Sequence, residues 1–317
     1  LTDTTPGDVR TDLALEAVEE IQTTTDGLPE GVLFEQYQAH PGVHVSDVQI
    51  SSAEAAQHMQ KPPGRYITIE SQGLISRNLT LQEHISETLR SNLLELLPDL
   101  GPDDPVLVVG LGNANATPDA LGPRTINLVL VTRHLREHVP QDLAGKLRPV
   151  AALAPGVLGT TGMETEEIVR GVLSHVDVSA IIVIDALAAR GTRRLFGTMQ
   201  LTDSGIHPGA GISNDRPPID AEAMGVPVVA IGIPTVVHAV TIAGEAVSTL
   251  TQKTDAPWSG YDPQKMNRAL RPLLGDMVVT LKEVDVTVRE AAQVVARSIN
   301  AALQPEWDEE AIDEMMA

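Results

Sequence analysis

The chain has 317 residues, with 22 basic against 43 acidic side chains, a formal charge of −21, no cysteine, and only two Trp, three Tyr and two Phe. That length makes one large domain or two modest ones with enough chain to bury a core, while the acidity and scarcity of rings exclude a nucleic-acid binder, which needs a basic groove and stacking platforms. The absence of Cys excludes disulfide scaffolds, thiolate metal sites, iron–sulfur clusters and Cys nucleophiles, leaving a soluble enzyme or binding protein with an aliphatic core.

Leu1 to Asp12 is polar, with no basic region leading into an apolar stretch, so no signal peptide is expected. Gly27 to Gly42 reads as turn-rich, Val43 to Ile50 alternates like a strand, and Tyr66 to Glu70 reads likewise. A helix is predicted over about Thr80 to Leu97, opened by a capping box, Thr80-x-x-Glu83, and stopped by Pro98. From Pro105 strands and helices alternate: a buried strand Val106 to Val109, a Gly/Asn/Pro loop, and a helix from about Pro123 to His138. Then come a strand over Pro149 to Ala154, a Gly-Thr loop, a helix Glu164 to Val176, and strands Ala180 to Ile184, Thr198 to Thr202 and Val226 to Ile233. A long helix, Asp285 to Leu303, closes the pattern. The stretch Val226 to Ala243 is the only membrane candidate, and with Pro227, Pro234 and His238 it reads better as a strand and a buried loop. No membrane partner and a cytoplasmic location are therefore expected.

This alternation predicts an α/β fold, a three-layer αβα sandwich on a mostly parallel, doubly wound sheet, with mixed N-terminal additions. The expected division is a pro-segment over 1–12, a single domain over 13–305 and an acidic tail over 306–317. Within the domain, 13–104 is the mixed part and 105–305 the catalytic core.

In such a sheet, ligands bind beyond the carboxyl ends of the strands. Three loops qualify, and they carry Asp119, Asp185 and Asp203. Two close carboxylates cannot both ionise easily, so one can hold a proton while the other activates water, which suits peptide hydrolysis. The loop Gly110-Leu-Gly112-Asn-Ala-Asn115 is only a partial dinucleotide fingerprint, and no Gly-Lys-Ser/Thr or Gly-x-Ser-x-Gly sequence occurs. Asp203-Ser-Gly205 has the triplet of pepsin-like proteases but occurs once, in an α/β pattern, so it reads as a turn with His207 nearby. His134-Leu-Arg-Glu137-His138 fits a zinc pattern, H-x-x-E-H, yet lacks a third ligand and reads better as a basic helix end before Pro140.

Six segments then resemble, in order, the bacterial spore germination protease family. They are Gly110 to Pro123, Thr132 to Leu135, Ala154 to Gly162 with Glu164-Thr165, Ile184 to Arg190, Asp203 to Gly209 and Val226 to Thr235. The chain is also distantly similar to hydrogenase maturation endopeptidases through the Gly110 to Asp119 loop and Asp185. The resemblance implies an endopeptidase that degrades the small acid-soluble proteins coating spore DNA at germination. It further implies a zymogen, a homotetramer and a place in the spore core, with Asp119 and Asp185 as the catalytic pair. No cofactor is expected, although relatives that hold nickel on acid and His side chains keep a divalent metal open. Arg10-Thr-Asp-Leu-Ala14 looks like the family's pro-sequence junction and resembles the segment cut in the substrates, so self-cleavage is predicted between Asp12 and Leu13. His238 and Ser213-Asn-Asp-Arg-Pro depart from the family pattern.

Asn113, Asn115, Thr161 and Gly162 are the candidates for holding substrate backbone or the oxyanion, because amides and hydroxyls donate to developing charge. Asp203 and His207 are candidates for lining the cleft. The rivals are a metal-dependent endopeptidase using the same acids as ligands, and a non-catalytic binding protein of the same fold. The acidic chain is expected to avoid DNA and to act on its protein substrates once they are released.

Overall fold

The computed structural model describes residues 12–24, 27–135, 146–208, 216–253, 269–270, 272–274 and 277–307. Its elements run α1 (Ala14–Thr24), β1 (Val32–His40), β2 (Val43–Ile50), α2 (Ala53–Met59), β3 (Gly64–Glu70), α3 (Gly73–Ser76) and α4 (Leu79–Leu96). They continue as β4 (Val106–Gly110), α5 (Leu121–Ile126), β5 (Val150–Leu153), α6 (Leu158–Thr161), α7 (Thr165–Leu173), β6 (Ala180–Ala189) and β7 (Thr198–Thr202). The last are α8 (Ala221–Met224), β8 (Val228–His238), α9 (Ala239–Lys253), β9 (Val278–Val279) and α10, Val284–Leu303.

One mixed sheet crosses the molecule in the order β1-β2-β3-β7-β8-β6-β4-β5, with β9 paired to β8. The four strands β5, β4, β6 and β8 are mutually parallel. From β7 outward, β3, β2 and β1 add on antiparallel. The α/β class and three layers are as predicted, and the N-terminal strands extend the same sheet.

The two faces follow from strand alternation. Val108, Ile182, Ile184, Ile231, Ile233, Met199 and Leu201 share one large core, which α4 and α10 cover. On the opposite face Leu107, Val109, Ile181 and Val183 pack under α7 and α8. Further along that face Val48, Ile50 and Tyr66 pack under α1 and α2. Asp185 and Gln200 fall on this second face, between its two apolar clusters, because their strand neighbours Ile184, Met199 and Leu201 all point into the other core.

Several boundaries differ from the sequence reading. The supposedly turn-rich stretch contains β1, whose outward residues are exposed because it is an edge strand. Helix α4 is capped by Asn78, whose side chain accepts from Leu81 N–H at 3.1 Å, and not by Thr80. The helix expected from Pro123 stops at Ile126. His134 sits in a 3-10 turn, Arg133–Leu135, and Glu137 and His138 lie outside the described residues. After β8 the chain enters α9 where a buried loop was expected. Apart from Asp12, the expected pro-segment lies outside the described residues, and the acidic tail is described only as far as residue 307. No described helix is long and apolar enough to cross a membrane.

Candidate active site

The first carboxylate comes from the loop after β4. The chain turns at Gly112 with φ 113°, a conformation that residues with a Cβ rarely adopt. A Cβ there would lie 2.0 Å from the Asp119 carbonyl oxygen, and one on Gly110 would lie 2.3 Å from that of Gly122. These two glycines let the loop fold tightly back on itself, which accounts for the partial fingerprint. Within the fold, Asn113 N–H donates to Asp119 Oδ2 at 2.8 Å, and Asn115 N–H donates to Asn113 Oδ1 at 3.0 Å. Asp119 closes the 3-10 turn Thr117–Asp119 and is half-buried.

The second carboxylate stands in the central strand. Asp185 follows Ile181 and Val183 on the same face of β6 and is 7% exposed. Its Oδ1 accepts from Ala186 N–H at 2.8 Å. Burial pushes the Asp185 carboxyl well above its ordinary value; the negative charge of Asp119 adds to this, and Asp12 adds less, while Ala186 N–H opposes it. Burial also raises Asp119, but the Asn113 N–H and the Arg216 guanidinium hold it back. The two environments push the pair apart, and Asp185 is raised further than Asp119.

The segment before α1 lies against this face. Asp12 Oδ2 accepts from Ala188 N–H at 3.1 Å, and Leu13 is fully buried. Gln200 brackets Leu13: its Oε1 accepts from Ala14 N–H at 2.7 Å, and its Nε2 donates to the Asp12 carbonyl at 3.0 Å. Burial raises the Asp12 carboxyl, opposed by the positive charge of Lys61, the Ala188 N–H and His238. Arginines of the β6–β7 loop anchor α1. Arg190 N–H donates to Glu16 Oε1 at 3.2 Å, while Arg194 meets Glu16 at 3.4 Å, Glu19 at 2.6 Å and Glu70 at 2.7 Å. Arg190 also pairs with Glu20.

The other sequence candidates are placed differently. Thr161 spends its hydroxyl locally, donating to Val157 O at 3.2 Å and accepting from Met163 N–H at 3.2 Å, and Gly162 caps α6 with φ 73°. Asn115 is exposed. Asp203 follows β7, which runs antiparallel to β8, so it leaves the sheet at the edge away from the carboxyl ends of the parallel strands. It is exposed and accepts from Arg65 N–H at 2.8 Å, which makes it a turn residue tied to β3. His207 is exposed beside the Ile206–Ile219 bridge. The expectation of Asp203 and His207 in the cleft took β7 for another parallel strand, and its reversed direction overturns the placement of Asp203 at that edge. Gln200 went unnoticed because a single Gln between Met199 and Leu201 looks like the outward position of any alternating strand. Among the described residues no three His, Asp or Glu side chains gather to hold a metal ion.

Two carboxyls of different burial, one in the loop after β4 and one within β6, are groups that acid–base chemistry on water could use. Known proteins were compared with the chain. The model of the germination protease family matches residues 10–262. The chain is 42% identical over 322 residues to the germination protease of Caldanaerobacter subterraneus subsp. tengcongensis, covering 97% of this chain and 98% of that one. It is 38% identical over 354 residues to that of Priestia megaterium, covering 95% of each. Among solved structures, a NiFe hydrogenase maturation protease from Thermococcus kodakarensis KOD1 aligns with TM-score 0.34 and 15% identity, over 66% of this chain and 98% of that one. The chain belongs to the germination protease family and is a peptidase.

Proposed function

We propose that this peptidase is an endopeptidase that degrades the small acid-soluble proteins coating spore DNA during germination, and that it is a self-processing zymogen cut between Asp12 and Leu13. The observation that carries the mechanism is the asymmetry of Asp119 and Asp185: one carboxyl buried in β6, the other half-buried under an N–H donor and near a guanidinium. Ionised Asp119 takes a proton from water, and the hydroxide adds to the peptide carbonyl carbon. Protonated Asp185 donates a hydrogen bond to the oxygen that becomes negative. When the C–N bond breaks, the proton held by Asp119 passes to the leaving nitrogen, and both carboxyls return to their starting states.

The docking of Asp12-Leu13-Ala14 on the carboxylate face supports the processing site. The name shared by the relatives supports germination as the setting. A homotetramer in the spore core, acting on released protein and not on coated duplex, completes the reading. Asp119→Asn and Asp185→Asn are each expected to slow cleavage of a small acid-soluble spore protein by about 10³-fold or more, consistent with loss of a catalytic acid or base. Circular dichroism should show both variants folded. Cleavage at the wild-type rate in either variant would overturn the pair, and loss of activity to a chelator with rescue by one divalent ion would replace it with a metal mechanism.

A further inference from the structure

Asp185 and Gln200 occupy one row of the sheet. Gly232 of β8 pairs with Asp185 on one side and with Gln200 on the other, and directly opposed residues present their side chains on the same face. Neighbouring strands lie about 4.8 Å apart, which places the two Cα atoms about 10 Å from each other. The row continues through Thr68 to Ser46, each opposed in register and each buried. A line of polar side chains thus crosses the sheet, and Gln200 within it meets the segment that precedes α1.

Gln200 is 6% exposed, so both ends of its carboxamide need partners. Both find them on one short stretch of chain, Oε1 on Ala14 N–H and Nε2 on the carbonyl of Asp12. That carbonyl belongs to the peptide bond before Leu13. Asp12 also meets β6 three residues beyond Asp185, its Oδ2 accepting from Ala188 N–H at 3.1 Å, and the negative charges of Asp119 and Asp12 both raise the Asp185 carboxyl.

We propose that Gln200 is a catalytic residue of the self-cleavage: its Nε2–H binds the oxygen of the carbonyl under attack and stabilises the negative charge that develops there. The inference rests on the Asp12–Leu13 bond being the one processed. Water oxygen bonds to the Asp12 carbonyl carbon, its proton goes to Asp119, and the oxyanion accepts from Asp185 O–H and Gln200 Nε2–H. The C–N bond then breaks, and the proton from Asp119 ends on the Leu13 nitrogen. Gln200 Oε1, fixed on Ala14 N–H, holds the leaving side in place. This donor is already set on the ground-state carbonyl, so little reorganisation is needed as charge builds.

A purely structural role is the competing account, because Ala14 N–H is one of the unpaired donors at the start of α1. Gln200→Glu separates the two. An ionised Glu still accepts from Ala14 N–H and favours a helix N-terminus, but it has no hydrogen for the Asp12 carbonyl. The full chain and its Gln200→Glu, Gln200→Ala and Asp185→Asn variants are incubated, and release of residues 1–12 is followed by intact mass across pH, with thermal melting in parallel. The expected result is cutting of the wild type at Asp12–Leu13, none in Asp185→Asn, and about 10²–10³-fold slower cutting in both Gln200 variants. The Glu variant should recover relative to wild type as falling pH protonates it and restores a donor, while the Ala variant should not. Wild-type rates in Gln200→Glu at every pH, with Asp185→Asn inactive, overturn the role of Gln200 and leave the acid pair standing. A wild-type chain cut elsewhere, or not at all, overturns the processing site and the role of Gln200 together.

Discussion

The two halves of the sheet contribute different things to one site. Parallel β4 and β6 end in the loops and strand positions that hold Asp119 and Asp185, whereas antiparallel β7, with β3 beside it, presents Gln200 and the ground on which Asp12 and α1 lie. The parallel strands are buried on both faces, and their backbone supplies rigid strand ends where charge can be held at fixed depth. Among the described residues the antiparallel strands have one face covered by α1 and α2, and that face accepts the segment that precedes α1. In the proposed reading, chemistry is built on the parallel strands and the chain to be cut is received where the sheet changes direction, between β8 and β7.

This division predicts that damage in the parallel half stops chemistry without freeing α1. The acid variants described above are the extreme case. Gly112→Ala comes next: its Cβ would press on the Asp119 backbone at 2.0 Å, at a φ of 113°. Moving a catalytic group by about 1 Å costs on the order of 100-fold in rate. Initial rates on a protein substrate should fall by that much, and limited proteolysis should show α1 as protected as in wild type. Damage in the receiving half should do the reverse. Arg194→Ala removes the cation shared by Glu16, Glu19 and Glu70, of which Glu16 is buried. That carboxylate keeps the Arg190 N–H but loses its cation, which costs roughly 3 kcal/mol at most, read as a lower urea midpoint, with α1 the first site of proteolytic nicking.

Smaller effects sharpen the comparison through pH. Peptidase activity should follow a bell-shaped profile, because the proposed mechanism uses Asp119 ionised and Asp185 protonated, and Asp185 is raised further than Asp119. The acidic limb should lie above the ordinary aspartate value, since Asp119 is raised, and the alkaline limb should follow Asp185, raised further. The linkage has a definite sign. A carboxyl whose folded value is raised binds a proton in the folded state that it has lost in the unfolded chain. Asp185 therefore stabilises the fold fully below the unfolded value of 3.8, and that stability is lost as pH rises through its raised value. Asp185→Asn should remove the dependence and melt no lower than wild type at neutral pH, even though it is inactive.

Much of this arrangement was legible in the residues, and the reasons are specific. Val106 to Val109 and Ile181 to Ile184 are continuous apolar runs, so the parallel strands could be placed from sequence, but β6 runs on to Ala189 and sets Asp185 inside the strand and not at its end. Strand β1 was hidden because an edge strand with Glu35, Gln36 and Gln38 facing water carries no buried run. The direction of β7 was not legible either: five residues alternate equally well in either orientation, and only pairing with β3 and β8 fixes it. That single ambiguity put Asp203 at the wrong edge and left Gln200 unnoticed. Gln200 becomes conspicuous only when Gly232 is seen to align it with Asp185.

The central claim is that Asp119 and Asp185 are a coupled pair in which Asp185 holds the proton. Carbon-13 titration of the aspartate carboxyls, in the wild type and in Asp119→Asn, tests it most directly. The account predicts that Asp185 titrates above Asp119 and that its value falls when the charge of Asp119 is removed. An Asp185 carboxyl that titrates in the ordinary range, or does not move in Asp119→Asn, would contradict it.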